Sequence, residues 1–197
     1  MPLVRPYEVL VVDPPWPYVA GGAKAARVRR FDRQWGYDVM NTASIFSLLH
    51  DRVFPMAAPT HTVFLWSIER ALTEAEAAMA SFGYKRHVRM VWNKKTGHAP
   101  AFTVQFSHEF LLWFYKPKLM PIDRAKRGKF GTVFESPPRQ HGRKPDIAYE
   151  RIAALYPNTR RLDVFSREDR PGYDSWGDEV GKFNGVGSRL FAVGDQR

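Results

Sequence analysis

The chain of 197 residues contains no cysteine, which excludes disulfides, zinc fingers and iron–sulfur clusters. It has no apolar run long enough for a transmembrane helix, and no apolar core of a signal peptide near its N-terminus. It also lacks a Gly-x-Gly-x-x-Gly turn and a P-loop, so neither phosphate-binding loop supports a generic nucleotide-binding protein. Together these absences predict a cytoplasmic protein with no membrane partner and no metal.

Acidic residues are scarce, since 20 Asp and Glu stand against 30 Lys and Arg, for a formal net charge of +10. Residues 18–34 contain five Lys or Arg against one acid, and residues 116–144 contain nine against two. Basic loops on a nearly neutral body suit a polyanion such as nucleic acid, and a merely soluble basic surface is the alternative. We predict one domain over residues 1–197, with basic substrate loops at about 18–36 and 117–143.

Short apolar runs alternate with segments of helical character, which predicts an α/β fold with a mostly parallel sheet. The predicted strands are Val9–Asp13, Thr62–Trp66, Val88–Trp92, Glu109–Lys116 and Arg161–Phe165. The predicted helices are Thr42–Leu49, Leu72–Ser81 and Pro145–Tyr156. Ligands bind beyond the carboxyl ends of the strands in such sheets, so the segments after the strands should share one crevice. Those segments read DPPW, SIER, NKK, KPK and SRED.

Asp13 ends the first strand, within the stretch YEVLVVDPPWPY, and a carboxylate in a buried place needs partners. Pro14 and Pro15 have no N–H group, so the local backbone offers only acceptors, which fixed φ angles hold in place. Trp16 adds a flat apolar face. Acceptors beside a ring suit a planar group that bears an amine, such as a nucleobase. A structural turn with an ion-paired Asp13 is the alternative.

The exocyclic amine of adenine or cytosine is a poor nucleophile, because its lone pair is delocalised into the ring. Two acceptors that hold its two hydrogens would localise the lone pair on the nitrogen, which is orientational and electrostatic catalysis. The proton can leave after the nitrogen is alkylated, so no strong general base is needed. The base must come from a single strand or be flipped out of its stack.

Further motifs accompany DPPW over roughly Glu8 to Val180. They read YDVMNTASI, VFLWSIERALTEAEAAMASFGYKRHVRMVWNKK, HEFLLWFYKPK, HGRKPDIAYERIAALYPNTRRLDVFSRE and PGYDSWGDEV. In this order they resemble the MT-A70-like N6-adenine methyltransferases, typified by the catalytic subunit of the eukaryotic mRNA adenosine methyltransferase. Bacterial and phage members of that family methylate adenine. The resemblance implies a Rossmann-like fold with helices on both faces of the sheet and a permuted motif order. It also implies S-adenosyl-L-methionine as cofactor and S-adenosyl-L-homocysteine as product.

The resemblance carries roles to individual residues. It implies that the target amine is bound by Asp13, Pro14, Pro15 and Trp16. It implies that the substrate is also contacted by Tyr37, Glu109 and Lys144. It implies that the cofactor is bound by Asp13, Lys144, Asp163, Phe165, Arg167, Asp178 and Glu179. The competing interpretations are a solvated surface position for Lys144 and a structural edge-strand role for Glu109.

Two positions depart from the family pattern. Asp178 stands where the family usually has Asn, and a carboxylate can accept from ribose hydroxyls but cannot donate as an amide does. Asp163 stands in LDVF where LELF is usual, so its reach is one methylene shorter. Both departures concern the affinity for the cofactor.

The implied activity is methyl transfer to N6 of adenine in DNA, with the base flipped into the DPPW pocket. The same chemistry on RNA, or on N4 of cytosine, stays open, as does a catalytically silent subunit that only binds nucleic acid. Silent partners in the family have lost the Asp-Pro-Pro-Trp motif, which is intact here. The compact chain has no separate target-recognition domain, which favours a bacterial or phage DNA enzyme. Such an enzyme could act alone, as a homodimer or with a partner subunit.

Overall fold

The computed structural model describes residues 6–17, 40–96, 104–140 and 142–184. Tyr37 and the predicted basic loop 18–36 lie outside these residues. The strands are β1 (Tyr7–Val12), β2 (Ala57–Ser67), β3 (Lys85–Asn93), β4 (His108–Lys116), β5 (Val133–Glu135), β6 (Arg161–Val164) and β7 (Asp174–Trp176). The α-helices are α1 (Thr42–Leu48), α2 (Leu72–Ser81) and α3 (Asp146–Leu155). In the described ranges, no helix has the length and apolar character needed to cross a membrane.

The seven strands form one mixed sheet in the order β5-β3-β4-β2-β1-β6-β7. β1 is parallel to β2 and β6, and the pairs β3–β5 and β6–β7 are parallel as well. β4 is antiparallel to both of its neighbours, β2 and β3. The predicted mostly parallel α/β sheet is therefore confirmed, with β4 as the exception. The sequence did not predict β5 and β7, which have only three residues each.

The direction of β4 corrects one prediction about the crevice. Phe110 pairs with Ser67, the last residue of β2, whereas Lys116 pairs with His61. The segment KPK after β4 therefore lies at the edge of the sheet opposite the carboxyl ends of β1 and β2, and not in the crevice. The start of β4, with Glu109, takes its place. An apolar pattern indicates which residues are buried but not which way a strand runs, so the sequence did not reveal this.

Helices cover both faces of the sheet and bury two hydrophobic clusters. On one face, Ile45 of α1 and Met79 of α2 pack into the first cluster. On the other face, Ile152 of α3 packs into the second cluster. Alternate residues of β1 enter the two clusters, Leu10 and Val12 the first, Val9 and Val11 the second. All four are fully buried, and each such side chain stabilises the fold by about 1.5–3 kcal/mol. β1 is therefore a rigid support for the residues that follow it.

Part of the basic segment 117–143 lies at the crevice, where the parallel strands have their carboxyl ends. The rest lies at the opposite ends of these strands, which we call the opposite edge of the sheet. The N–H of Asp123 donates to the carbonyl of Leu155 at 2.9 Å, at the end of α3. The helix begins beside Lys144 at the crevice, so its end and the turn Arg124–Lys126 lie at the opposite edge. The segment returns to the crevice only at Glu135, where β5 ends beside β3. Most of the charge of the predicted basic substrate loop 117–143 therefore lies away from the crevice, and its role in substrate binding stays a prediction.

Candidate active site

Asp13 follows β1 at the carboxyl edge of the sheet. Its N–H donates to the carbonyl of Val164 at 3.1 Å, which extends the pairing of β1 with β6 by one residue. The residue is 7% exposed, so its carboxylate is held inside the crevice. The buried, parallel strand thus fixes the backbone from which this carboxylate projects.

The two prolines after Asp13 form a turn that uses their carbonyl oxygens. The Pro14 carbonyl accepts from the N–H of Trp16 at 2.8 Å, and the Pro15 carbonyl accepts from the N–H of Met40 at 3.0 Å. A carbonyl oxygen has two lone pairs, so each can accept one further hydrogen bond. The expected rigid acceptors are present, and each already has one protein donor.

Trp16 occupies the core and not the open crevice. Its ring is 6% exposed and belongs to the first hydrophobic cluster, where it packs on Phe46 with ring centroids 6.1 Å apart. Its Nε1–H donates to the carbonyl of Trp66 at 2.9 Å. The expectation that Trp16 offers its ring for stacking does not fit this burial. Trp16 instead anchors the turn that carries Asp13.

Lys144 lies between two carboxylates that come from different strands. Its Nζ is 2.9 Å from Oδ1 of Asp13 and 3.1 Å from Oε2 of Glu109. The other oxygen of Glu109 is 2.7 Å from Nζ of Lys94, at the end of β3. Lys144 is 9% exposed, which excludes a solvated surface position. The edge-strand interpretation of Glu109 is also wrong, because β4 lies inside the sheet.

Lys144, Glu109 and Lys94 stabilise one another's charged forms. Burial by itself would raise the pKa of Glu109, but the ammonium groups of Lys144 and Lys94 outweigh it and hold that pKa at about 2. Burial would lower the pKa of Lys144, but the carboxylates of Asp13 and Glu109 raise it above its ordinary value. Both groups are therefore charged at neutral pH. The cluster presents a fixed ammonium against Asp13.

Arg167 contacts the other oxygen of Asp13. Its Nη2 is 3.2 Å from Oδ2, so each carboxylate oxygen faces one cation. Gly142 makes room for this guanidinium, because a Cβ added at Gly142 would overlap it. Gly142 also has φ +74°, a conformation that favours glycine. The segment that carries Lys144 can therefore pass close to Arg167.

Asp163 lines the same pocket as Asp13, from β6. Its carboxylate accepts from the hydroxyl of Tyr149 at 3.2 Å and from that of Ser166 at 3.1 Å. Nη1 of Arg170 lies 3.3 Å away. Burial raises the pKa of Asp163 to about 7, and the nearby Asp13 carboxylate acts in the same direction, against Arg170 and Ser166. Asp163 therefore titrates close to neutral pH in the folded chain.

We expect the stabilising contribution of Asp163 to the free energy of unfolding to decrease as the pH rises towards 7. Its pKa is about 7 in the folded chain, against a usual value of 3.8, so the folded state binds more protons between these values. The resulting stabilisation is present below about pH 4 and is lost as the pH rises through about 7. Denaturant unfolding of wild type and Asp163→Asn between about pH 4 and pH 8 measures it. The stability of wild type relative to the variant should fall by about 4 kcal/mol and then level off. A difference that does not change with pH would contradict this account.

Phe165 and Gly177 come together where β6 and β7 end. Phe165 has φ +60°, which is uncommon for a large side chain and occurs at functional sites. Gly177 has φ +152°, and a Cβ there would lie 3.0 Å from the Cα of Phe165. Glycine is therefore required for the close approach of the two backbones. Phe165 lines the pocket, and its role in cofactor binding stays a prediction.

Asp178 and Glu179 follow in the next turn and do not line the pocket. Asp178 is exposed, and Glu179 pairs with Lys182 at 2.5 Å. The pocket does bring together five of the predicted residues, namely Asp13, Lys144, Asp163, Phe165 and Arg167. The expected meeting of Asp13 with Asp163 and Lys144 therefore occurs.

Several residues around the pocket were missed by sequence reasoning. Lys94 and Ser166 belong to NKK and SRED, which follow strands, so their positions were expected but not their contacts. Tyr149 gave no signal, because it lies on the buried face of α3. Arg139 and Arg170 gave none either, although both donate to the carbonyl of Lys144, at 2.7 and 3.2 Å. These bonds tie the segment before α3 in place.

Comparison with known proteins gives three relatives of differing length. The type II methyltransferase M.MunI of Mycoplasma sp. is 24% identical over 188 residues, which cover 89% of this chain and 78% of that protein. The N6-methyladenosine RNA methyltransferase MTA1 of Cryphonectria parasitica is 28% identical over 192 residues, 90% and 52% of the two chains. The probable N(6)-adenosine-methyltransferase MT-A70-like of Oryza sativa subsp. japonica is 26% identical over 205 residues, 94% and 24%. The chain thus spans about half or less of the two N6-adenosine methyltransferases.

The match to a model of one protein family includes the candidate active site as well as the sheet. The MT-A70 family model matches residues 7–179, from β1 through the turn after β7. The match includes DPPW, the start of β4, the segment around Lys144 and the strand of Asp163. Most of the chain is therefore accounted for by one family. We conclude that the chain belongs to the MT-A70 family of methyltransferases.

Proposed function

We propose that this chain transfers a methyl group from S-adenosyl-L-methionine to the N6 amine of adenine in DNA. The observation that carries the proposal is the 2.9 Å contact between Asp13 and Lys144. It joins the first motif of the chain to a lysine 131 positions later, beside a pocket that also contains Asp163. An intact motif with a paired lysine supports an active enzyme over a silent binding subunit.

The groups around the pocket suit the proposed cofactor, which combines a cationic sulfonium, an amino-acid end and an adenosine. The carboxylates of Asp13 and Asp163 suit a cation and ribose hydroxyls, and the guanidinium of Arg167 suits a carboxylate. The ring of Phe165 offers an apolar surface to a purine. When bound, S-adenosyl-L-methionine supplies an electrophilic methyl group on sulfur. We further propose that Asp178 and Glu179 reach the ribose from the rim, as the family resemblance implies.

In the proposed reaction, Asp13 accepts one hydrogen of the adenine amine. A carboxylate oxygen has more than one lone-pair direction, so Asp13 can accept this bond while Lys144 remains in place. The carbonyl of Pro14 accepts the second hydrogen with its remaining lone pair. These two bonds turn the nitrogen lone pair towards the methyl group. With S-adenosyl-L-methionine bound, the C–S bond of its methyl group would break as the N–C bond forms, and the methylated amine would then release one proton to solvent.

Support for DNA comes from the share of each relative that the chain covers. It covers 78% of the type II methyltransferase but 52% and 24% of the two N6-adenosine methyltransferases. RNA is the second candidate, because the RNA methyltransferase of Cryphonectria parasitica has the higher identity, 28% against 24%. Both candidates place the same amine against Asp13.

We expect N6-methyladenine to accumulate in the DNA of cells that express the chain. Mass spectrometry of nucleosides from purified DNA and RNA measures the base and the polymer in one experiment. Cells that express Asp13→Ala at the same level are the control, and they should contain only the background. N6-methyladenine in RNA alone would replace DNA by RNA in the proposal. A new N4-methylcytosine, or no new methylated base while the purified protein binds S-adenosyl-L-homocysteine, would overturn the adenine assignment.

A further inference from the structure

Four basic side chains form a cluster far from the candidate active site. We refer to Arg124, Lys126, Arg127 and Lys129 as the basic turn. Three of them are exposed and Lys126 is half-buried. Over the ranges that the structure describes, none of the four lies within ion-pair distance of a carboxylate. The neighbouring Asp123 accepts from the N–H of Ala125 at 2.8 Å, so it caps the turn.

The cations around the pocket differ, because carboxylates of the protein already balance them. Lys94 and Lys144 share Glu109, and Arg167 contacts Asp13. Two further arginines of the pocket pair in the same way, Arg143 with Glu168 and Arg170 with Asp163, as does the neighbouring Arg139 with Asp146. A phosphate gains less from a balanced cation than from one whose charge is free to act in solvent. The basic turn is therefore the stronger phosphate-binding surface of the two.

The basic turn is held firmly on α3. The guanidinium of Arg151 donates to the carbonyl of Gly131 at 3.3 Å. It also lies over the rings of Phe130 and Phe134, 5.3 and 5.2 Å from their centroids. Asp123 is bonded to the end of the same helix. The backbone of the basic turn is therefore held in place on both sides, so it needs little reordering when it binds a polyanion.

The length of α3 sets the distance from Lys144 to the basic turn, because the helix begins beside Lys144 and its end is bonded to Asp123. α3 has ten residues, and a helix rises about 1.5 Å per residue, so its two ends are about 15 Å apart. One strand of DNA rises about 3.4 Å per nucleotide, so this separation corresponds to about five base pairs. The phosphates next to a target adenine therefore do not reach the basic turn, whereas those about half a helical turn away do.

We propose that the basic turn binds the phosphate backbone of the substrate duplex about half a helical turn from the target base. The inference rests on the proposed function for the place of the target base. Charge complementarity identifies the occupant, since four cations without internal partners match the regular phosphates of DNA. The turn contacts no base, so it adds affinity and not sequence preference. It would hold the enzyme on long DNA and contribute nothing on short oligonucleotides.

The test compares wild type with a variant in which all four residues of the basic turn are changed to serine. Fluorescence anisotropy measures the binding of labelled duplexes of about 8 and about 30 base pairs with a central adenine, over a range of salt concentrations. We expect the variant to bind the long duplex at least about tenfold more weakly at roughly 0.1 M salt. Its slope of log affinity against log salt should be smaller by about 3 to 4. Affinity for the short duplex should be unchanged.

A matched pair of single substitutions tests whether the loss of net charge alone would explain weaker binding. Arg127→Ser should lower the salt slope by about 1. Arg52→Ser, which removes an exposed arginine near α1 on the other face of the sheet, should leave it unchanged. Equal effects of the two changes would overturn the inference. Wild-type affinity of the fourfold variant for the long duplex would also overturn it. The same holds if the fourfold variant loses binding to anionic phospholipid vesicles but not to DNA.

Methyl transfer is measured on the short duplex in parallel. The fourfold variant should methylate it at the wild-type rate, because the pocket is intact. If neither protein methylates any substrate and the variant still binds long DNA more weakly, the proposed function fails and the basic turn stands. If both proteins methylate and bind alike, the proposed function stands and the basic turn fails.

Discussion

Replacing Asp13 by alanine is expected to lower the rate constant of methyl transfer by at least about 10³-fold. The change removes the acceptor proposed for the adenine amine, and water that fills the space would not hold the nitrogen lone pair in one direction. Single-turnover transfer of labelled methyl from S-adenosyl-L-methionine to a duplex measures the effect. Because the proposed defect lies in the chemical step, the affinity for DNA should change little.

The alanine variant also removes the carboxylate that Lys144 and Arg167 share, and removing one partner of a buried ion pair destabilises proteins by up to about 3–5 kcal/mol. Asp13→Asn is therefore the sharper variant, because it keeps the shape and one acceptor oxygen. It should still lose about 10²-fold or more in rate, since the charge is absent. Thermal unfolding shows that either variant is folded at the assay temperature. A rate within threefold of wild type in folded Asp13→Asn would sink the role assigned to this carboxylate.

Asp174→Ala is the matched control for Asp13. Asp174 is an acid with an equally close partner, Nη2 of Arg160 at 2.7 Å, but it lies at the start of β7, away from the pocket. Its removal should lower stability slightly, because a half-exposed ion pair contributes about 1 kcal/mol or less. The rate of methyl transfer at a temperature where the protein is folded should stay at the wild-type value.

Lys144→Met is expected to have the second largest effect, a loss of about 10²-fold in the rate of transfer. The ammonium holds Asp13 at 2.9 Å and Glu109 at 3.1 Å, so its removal leaves two buried carboxylates without their shared cation. The pKa of Glu109 should rise, because Lys144 is one of the two ammonium groups that lower it. Lys144→Arg keeps the charge and should retain more activity than Lys144→Met.

The double variant Lys144→Met/Glu109→Gln separates stability from catalysis. Neutralising Glu109 removes one of the two carboxylates that have lost their shared cation, so the double variant should be more stable than Lys144→Met alone. Its rate should remain low, because no ammonium faces Oδ1 of Asp13. Denaturant unfolding and single-turnover kinetics measure the two quantities. If the double variant regained wild-type activity, Lys144 would act only by balancing Glu109 and not by positioning Asp13.

The predicted strands, helices and motif order were correct because they depend on local properties of the sequence. β1 reads as a continuous apolar run because both of its faces are covered by helices. Proline ends a strand in any context, so the place of Asp13 at a strand end followed from local chemistry alone. β5 and β7 could not be found in this way, because three residues are too few to form a periodic pattern.

The contacts of the site could not be predicted, because they depend on the direction of strands and the path of loops. Glu109 reaches Lys144 only because β4 runs antiparallel to β2, and an apolar run is the same in either direction. Trp16 looked available for stacking, yet the turn at Pro14 and Pro15 directs it into the core. Arg170 joins the pocket through a loop whose local sequence carries no signal for that position.

The sequence by itself determined that the chain forms an α/β sheet with Asp13 at the end of a buried strand, and its motifs in order identified the family. Burial pattern, proline chemistry and motif spacing are local properties, and local properties can be read along a chain. Only the tertiary structure decided that Lys144 is buried between Asp13 and Glu109. The same is true of the basic turn, which lies at the far edge of the sheet. Both results are set by contacts between residues far apart in sequence. The free energy of such contacts cannot be predicted from any single segment.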